Sequence, residues 1–333
     1  MKSVLGLLMV AALAACGGGG AAPTGETGAL VLYSGRTEEL VGPLLSRFEQ
    51  QTGIAVDVRY GSSPEMAATI ITEGDGSPAD LFYSQDPASL GSVAELLAPL
   101  PDSVLGMVPE KFSDPDGRWV GVTARSRVLA FNPELVDEAD LPTSYRELID
   151  PRWKGRFGIA PTNGSFVTFV AAMILLEGED ATSQWLDGIA ANNPVTFDGN
   201  SPIAAAIDAG DLELGLINHY YLRELAAEQG SITAQNHFFP QADAGSLVMP
   251  SGVGLLATAS HPTGSEALIE FLLSPESQTY FAETNFEYPV TPDAPSPPGL
   301  PALETLASPV LSSADLAAVL DRATDLIAGA GLS

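Results

Sequence analysis

The sequence has one cysteine, Cys16, in 333 residues. No disulfide can form within the chain, so the folded body must be held by its apolar cores. Basic residues are scarce as well: 14 Lys plus Arg stand against 42 Asp plus Glu, for a formal charge of −28. No stripe of positive charge is available to neutralise phosphates, which excludes nucleic acid as a partner and argues against docking on anionic lipid. The only histidines are His219, His237 and His261. They lack paired spacing, which excludes a zinc or copper centre of the usual kind and leaves each to be read as a surface or capping residue. Beyond the first fifteen residues no apolar run could span a bilayer. Gly-x-Ser-x-Gly, His-Glu-x-x-His, a phosphate loop and a nucleophilic cysteine are all missing, so the chain reads as a non-enzyme. Asp114-Pro115-Asp116-Gly117 has the start of a calcium loop without the ligands that should follow, and reads as a turn. The acidic excess is a solvated surface.

What is present begins with Lys2, the apolar stretch Val4 to Leu13, and Leu13-Ala14-Ala15-Cys16. Residues 1–15 read as a signal peptide. The stretch resembles a bacterial lipobox, which implies cleavage before Cys16, lipidation of that residue, and an exported protein anchored at the cell envelope, on the outer face of the cytoplasmic membrane or in the periplasm. Residues 16–28, with Gly17 to Gly20, read as a flexible tether.

Strand and helix patterns then alternate. Leu30 to Tyr33 is a short apolar run, and Leu40, Val41, Leu44, Leu45 and Phe48 recur at helical spacing up to Gly53. Pro43 lies inside that stripe, so the helix is expected to begin near Val41 or to kink. Strands are expected at 54–60 and 80–83, a helix at 65–72, and a polar loop at Ser84-Gln85-Asp86. This α/β order predicts mostly parallel sheets flanked by helices, with ligands beyond the carboxyl ends of the strands. Residues 119–131 form one extended run, with Arg125 and Arg127 in its middle, long enough to cross between two lobes. Further strands are expected at 157–160, 214–217 and 245–259. Helices are expected at 165–176, from an Asn200 cap to Ala209, from an Asn218 cap to Gln229, between Ser265 and Thr284, and at 313–328.

Chemistry concentrates at Asn218-His219-Tyr220-Tyr221. In the first turn of a helix both tyrosines would feel the positive end of the macrodipole, which favours phenolate. Phenolate is a ligand for hard, highly charged cations such as ferric iron. By themselves two adjacent tyrosines are more often one buried and one exposed aromatic on an amphipathic helix.

The wider pattern bears on that choice. Tyr33-Ser34-Gly35-Arg36, Phe48 to Ile54, Pro78-Ala79-Asp80-Leu81-Phe82-Tyr83, Arg125-Ser126-Arg127, Trp153-Lys154-Gly155-Arg156, Asn163-Gly164-Ser165-Phe166, Asn218-His219-Tyr220-Tyr221 and Glu287-Tyr288-Pro289-Val290 follow one another over residues 29–333. In this order they resemble the periplasmic ferric-iron-binding proteins of ABC transporters, the bacterial transferrins. The resemblance implies a type II periplasmic-binding-protein fold: an N-terminal lobe of residues 29–126 and 246–286, a C-terminal lobe of 127–245 and 287–333, and strands crossing between them. It implies a monomer that captures Fe(III) with a synergistic anion (carbonate, phosphate or citrate) in the cleft and delivers it to an ABC permease and its ATPase. Closure would hinge near Arg125 and residues 245–250.

Carried over by residue, Tyr220 and Tyr221 match the metal ligands. Asn163, Gly164, Ser165, Asn200 and Asn218 match the anion contacts, and Arg36 an arginine beside metal or anion. Arg125 and Arg127 are expected to brace the hinge or to pair with carboxylates. Three cleft positions depart from the pattern: Thr37 stands where some members carry histidine, Gln85 where they carry glutamate, and Phe166 where another branch has a third tyrosine. Two protein ligands remain, and an open site of that kind suits iron already held by a carboxylate chelator. The alternative is the same fold holding an oxyanion or organic acid, with the tyrosines as hydrogen-bond donors.

Overall fold

A computed structural model describes residues 28–332. The expected signal peptide, Cys16 and most of the tether lie outside the described residues. Among the described residues there are ten strands: β1 (Leu30–Ser34), β2 (Val56–Tyr60), β3 (Leu81–Ser84), β4 (Trp119–Phe131), β5 (Phe157–Ile159), β6 (Val195–Thr196), β7 (Leu214–Asn218), β8 (Gln235–His237), β9 (Val248–Leu255) and β10 (Tyr288–Pro289). Their order is β2-β1-β3-β9-β4-β7-β5-β6, with β8 and β10 also pairing with β4.

The spine is β4. Its 13 residues are all buried, and at roughly 3.3 Å per residue it extends about 40 Å, enough to serve two sheets. Trp119 to Ser126 pair with β9, ending at Ser126 opposite Val248. Arg127 to Phe131 pair with β7, beginning at Arg127 opposite Asn218. The change of partner between Ser126 and Arg127 marks the junction of two lobes. On one side β2, β1 and β3 run parallel. On the other, β6, β5 and β7 do so.

Each sheet is covered on both faces, as parallel strands require. The helix Glu38–Thr52 lays Val41, Leu44, Leu45 and Phe48 on the first sheet, where Leu268, Ile269 and Phe281 join them; Met66, Ile70 and Phe82 fill the opposite face. In the second lobe Tyr145, Phe169 and Trp185 meet edge to face, and Ile203, Ile207 and Ile217 cover the other side.

Several local expectations are corrected. The first helix starts at Glu38 despite Pro43. Thr37 is extended at the cap position, and its carbonyl accepts from the Leu40 and Val41 amides. Glu38 and Glu39 suit the positive end of the dipole, and Pro43 forfeits only the bond to the Glu39 carbonyl. The final helix is two, Ser313–Ala318 and Leu320–Gly329. Residues 287–306, expected in the C-terminal lobe, pack on the other one. Tyr288 and Pro289 pair with Ala124 and Thr123, and Tyr288, Val290, Leu300, Leu303 and Leu306 pack into the first lobe's core. Only from Leu311 onward, through Leu316, Ala323 and Ile327, does the chain join the second. Among the described residues no helix is long and apolar enough to cross a membrane.

Candidate metal and anion site

The tyrosine pair sits where β7 gives way to the helix Tyr221–Gln229. Asn218 does not cap that helix. It is the last residue of β7, buried, and its Oδ1 accepts from Arg127 Nη1 at 3.3 Å. Tyr220 takes the cap position and Tyr221 opens the helix. Their rings stack, centroids 4.2 Å apart and planes at 29°. Neither hydroxyl hydrogen-bonds to another described residue. Burial pushes the Tyr220 phenol well above its ordinary pKa and the Tyr221 neighbour adds to this, while Arg125 and Arg36 pull the other way.

One wall is built by the first lobe. Arg36 follows β1 in a turn held by Ser34 Oγ, and its Nη2 donates to Glu287 Oε1 at 2.8 Å. Thr123 Oγ1 donates to Glu287 Oε2 at 2.8 Å, and Arg125 Nε lies 3.9 Å from Glu287 Oε1. Arg125 Nη2 donates to the Gln85 carbonyl. Burial alone would depress the Arg36 guanidinium, but Glu287 outweighs it and holds the group above its ordinary value. Arg36 Nε and Nη1, Arg125 Nε and the Tyr83 hydroxyl are buried without hydrogen-bond partners.

The second lobe builds the other. Asn163 caps the helix Gly164–Glu177, its Oδ1 accepting from Ser165 N at 3.1 Å, Ser165 Oγ at 2.7 Å and Asn200 Nδ2 at 3.3 Å. Asn200 is not itself a cap; it is the first residue of the helix Asn200–Asp208, after Gly199. Arg127 Nη1 donates to Ser165 Oγ at 3.2 Å, and its Nη2 to the Leu216 carbonyl at 3.2 Å. Arg127 forms no ion pair among the described residues, and burial lowers its pKa to about 10. A buried guanidinium without a carboxylate beside a helix N-terminus is arranged for an anion.

Asn163, Ser165, Asn200, Asn218 and Arg127 therefore come together, and Gly164 lies exposed at the start of the same helix. Arg36 and Tyr220 are close enough to shift one another's pKa. Thr37 is exposed at its helix cap, and Gln85 contributes its backbone. Phe166 is not a cleft residue: it is 1% exposed in the second lobe's core, 5.6 Å from Phe169. His219 departs from its surface reading, being fully buried at the lobe junction. Its Nδ1 accepts from Ser126 N and its Nε2 faces the Phe286 carbonyl, and burial lowers its pKa to about 4. His261 and His237 fit their expected peripheral roles, bonded to Asp80 and to the Pro142 carbonyl. The Asp114 segment is the expected turn, with the Gly117 amide on the Asp114 carbonyl.

Two residues beside the site were not singled out from the sequence, although Glu287 lies in the matching block Glu287-Tyr288-Pro289-Val290. Glu287 meets its arginine across 251 residues. Glu224 lies one turn beyond the tyrosines, and burial together with Glu287 raises its pKa to about 7; the spacing of three and four residues that sets it on their face was its only clue.

Among the described residues no cluster of three or more His, Cys, Asp or Glu could hold a metal. Phenolate and anionic oxygen belong to the donor set of a hard cation. Cavities of about 490 Å³ and 320 Å³ lie elsewhere, and neither tyrosine lines them.

Residues 76–309 match the family described as bacterial extracellular solute-binding protein. The chain is 34% identical over 308 residues to the Fe(3+)-binding periplasmic protein of Serratia marcescens, covering 91% of this chain and 90% of that one. It superposes on iron-bound HitA from Pseudomonas aeruginosa with a TM-score of 0.86 and 36% identity, over 91% of this chain and 99% of that one. Trichodesmium IdiA (FutA) in complex with iron and citrate gives 0.80 at 27% identity, over 92% and 100%.

Proposed function

The chain belongs to the bacterial extracellular solute-binding proteins, and from that premise we propose that it captures ferric iron between its lobes and delivers it to an ABC permease driven by its ATPase. The observation that carries this reading is the stacked pair Tyr220 and Tyr221, hydroxyls unbonded, beside the arginine-bearing walls of both lobes. The names of similar proteins that bind iron support it.

The charge balance indicates the form of the cargo. Arg36, Arg125 and Arg127 are buried at the site, while among the described residues Glu287 is the one carboxylate paired with them. Once both tyrosines ionise, Glu287 and the two phenolates only balance the three guanidiniums, so the charge of a trivalent cation is left to an anion that arrives with it, as in an anionic ferric complex. Two phenolates fill about two of roughly six positions of an octahedral ion, leaving the rest to the anion. Carbonate, phosphate or citrate would sit on Asn163, Gly164, Ser165, Asn200 and Asn218, with Arg127 behind them and Arg36 opposite. Tyr220 and Tyr221 would supply the protein's own oxygen ligands, each giving up its proton to the solvent as the metal binds.

Closure would turn on β4 and β9 where Ser126 opposes Val248, and the closed form is what a permease would recognise. The protein would work as a monomer. Cys16, in its lipobox-like setting, would carry the lipid that keeps it at the envelope. Mass analysis of the mature N-terminus checks that assignment, with Cys16→Ala expected to release the protein from the membrane fraction.

A second reading, a metal-free organic acid, is favoured by the unpartnered donors of Arg36 and Arg125. Titration calorimetry of the metal-stripped protein separates the two. Ferric citrate should saturate one site, with citrate alone at least about tenfold weaker. Equal affinities would transfer the assignment to the organic acid.

A further inference from the structure

His219 precedes the tyrosine pair and has every polar atom engaged. Its amide donates to the Ser126 carbonyl at 3.0 Å, and its own carbonyl accepts from Asn236 Nδ2 at 2.7 Å. The Ser126 amide donates to Nδ1 at 3.1 Å. Nδ1 being the acceptor, the ring proton sits on Nε2, which donates to the Phe286 carbonyl at 2.9 Å. The ring also lies 4.6 Å from Tyr288 and meets Tyr220 edge-on at 5.9 Å.

These partners come from both lobes. His219 and Asn236 belong to the second. Ser126 is the residue at which β4 changes partners, and Phe286 to Tyr288 belong to the segment that packs on the first. Phe286 holds a left-handed backbone, φ 55°, a conformation kept only where its surroundings impose it. The next residue, Glu287, pairs with Arg36, so one short segment ties the arginine wall to the histidine that precedes the tyrosines.

We propose that His219 is a positioning residue: through its Nε2–H bond to Phe286 it fixes Tyr220 and Tyr221 relative to the opposite lobe, so that closure sets the geometry of the cargo site. This rests on the ferric reading above. The interaction touches no ligand atom, so its loss should retain iron binding but alter its quality.

Three substitutions separate this from ordinary core packing. His219→Gln can still place a donor at the Nε2 position, His219→Asn preserves only an acceptor for the Ser126 amide, and His219→Leu preserves only bulk. The readouts are the visible band of the ferric protein and the rate at which excess EDTA removes the iron, with the melting temperature of the metal-free form as a check on folding. The Asn and Leu variants should shift the band and release iron about tenfold faster, a single lost hydrogen bond's worth, and the Gln variant should restore both. Unchanged band and release rate in all three, or equal loss in Gln and Asn, would overturn the proposal. Absence of any band in the unsubstituted protein would instead overturn the ferric reading on which it stands.

Discussion

Arg36 and Glu287 stand 251 residues apart in sequence and 2.8 Å apart in space, each side chain 1% exposed. Arg125 approaches the same carboxylate, and Thr123 occupies its other oxygen. One acid therefore compensates two buried cations in the wall facing the tyrosines.

Glu287→Ala should cost about 3–5 kcal/mol of folding free energy, since breaking a buried pair leaves uncompensated charge. Urea denaturation measures it. A loss below about 1 kcal/mol, the usual worth of an exposed pair, would mean that the wall is open to water.

The C-terminal helices reach back to the first lobe through Gly91. A Cβ there would lie 2.6 Å from the Ser313 carbonyl oxygen, which is backbone and cannot rotate away. Gly91→Ala should destabilise by about 1–3 kcal/mol through overpacking, outweighing the roughly 1 kcal/mol that alanine gains in a helix. A rise in melting temperature would contradict the close contact between helices Pro87–Ser92 and Ser313–Ala318.

Glu224 supplies a pH signature. Its folded pKa is raised from 4.5 to about 7 by burial first and Glu287 second, so the folded state holds this proton more tightly than the unfolded chain. The group's contribution is most favourable below about pH 4.5 and is lost as pH rises towards 7. Glu224→Gln should therefore stabilise the protein at pH 8 by about 2–3 kcal/mol and give no advantage at pH 4. Equal effects at both pH values would contradict the assignment.

Iron binding itself should be coupled to protons. Burial keeps the Tyr220 phenol neutral in the unloaded protein, and each tyrosine that becomes a phenolate ligand releases one proton to the solvent. With two such ligands, affinity for a ferric chelate should fall about 100-fold per pH unit on acidification, after correction for the chelator's own protonation. Release of fewer than one proton per iron would exclude tyrosinate ligation.

The long-range architecture was legible where the pattern was strong. Residues 119–131 read as one extended crossing segment because the run is long and strand-like on both sides of Arg125 and Arg127, and β4 has those bounds. The Gly164–Glu177 helix was legible from its turn and apolar stretch, and Asn163 caps it. Strands β6, β8 and β10 are two or three residues long and exist only because a neighbour offers a ladder, which no local pattern records. Asn218 has the chemistry of a cap, yet Arg127 claims it on the adjacent strand. Phe166 aligned with a ligand position by motif alone, but its helix is apolar around most of its circumference, and packing against Phe169 turns its ring into the core. His219 looked peripheral because its partners, Ser126 and Phe286, are distant in sequence.

The central claim is tested most directly by the visible spectrum of the metal-stripped protein titrated with ferric citrate, beside Tyr220→Phe/Tyr221→Phe. Phenolate bound to ferric iron absorbs visible light, so a band that saturates at one iron per protein and vanishes in the double variant is the predicted result. No band in the unsubstituted protein, or the same band in the double variant, would contradict iron capture by Tyr220 and Tyr221.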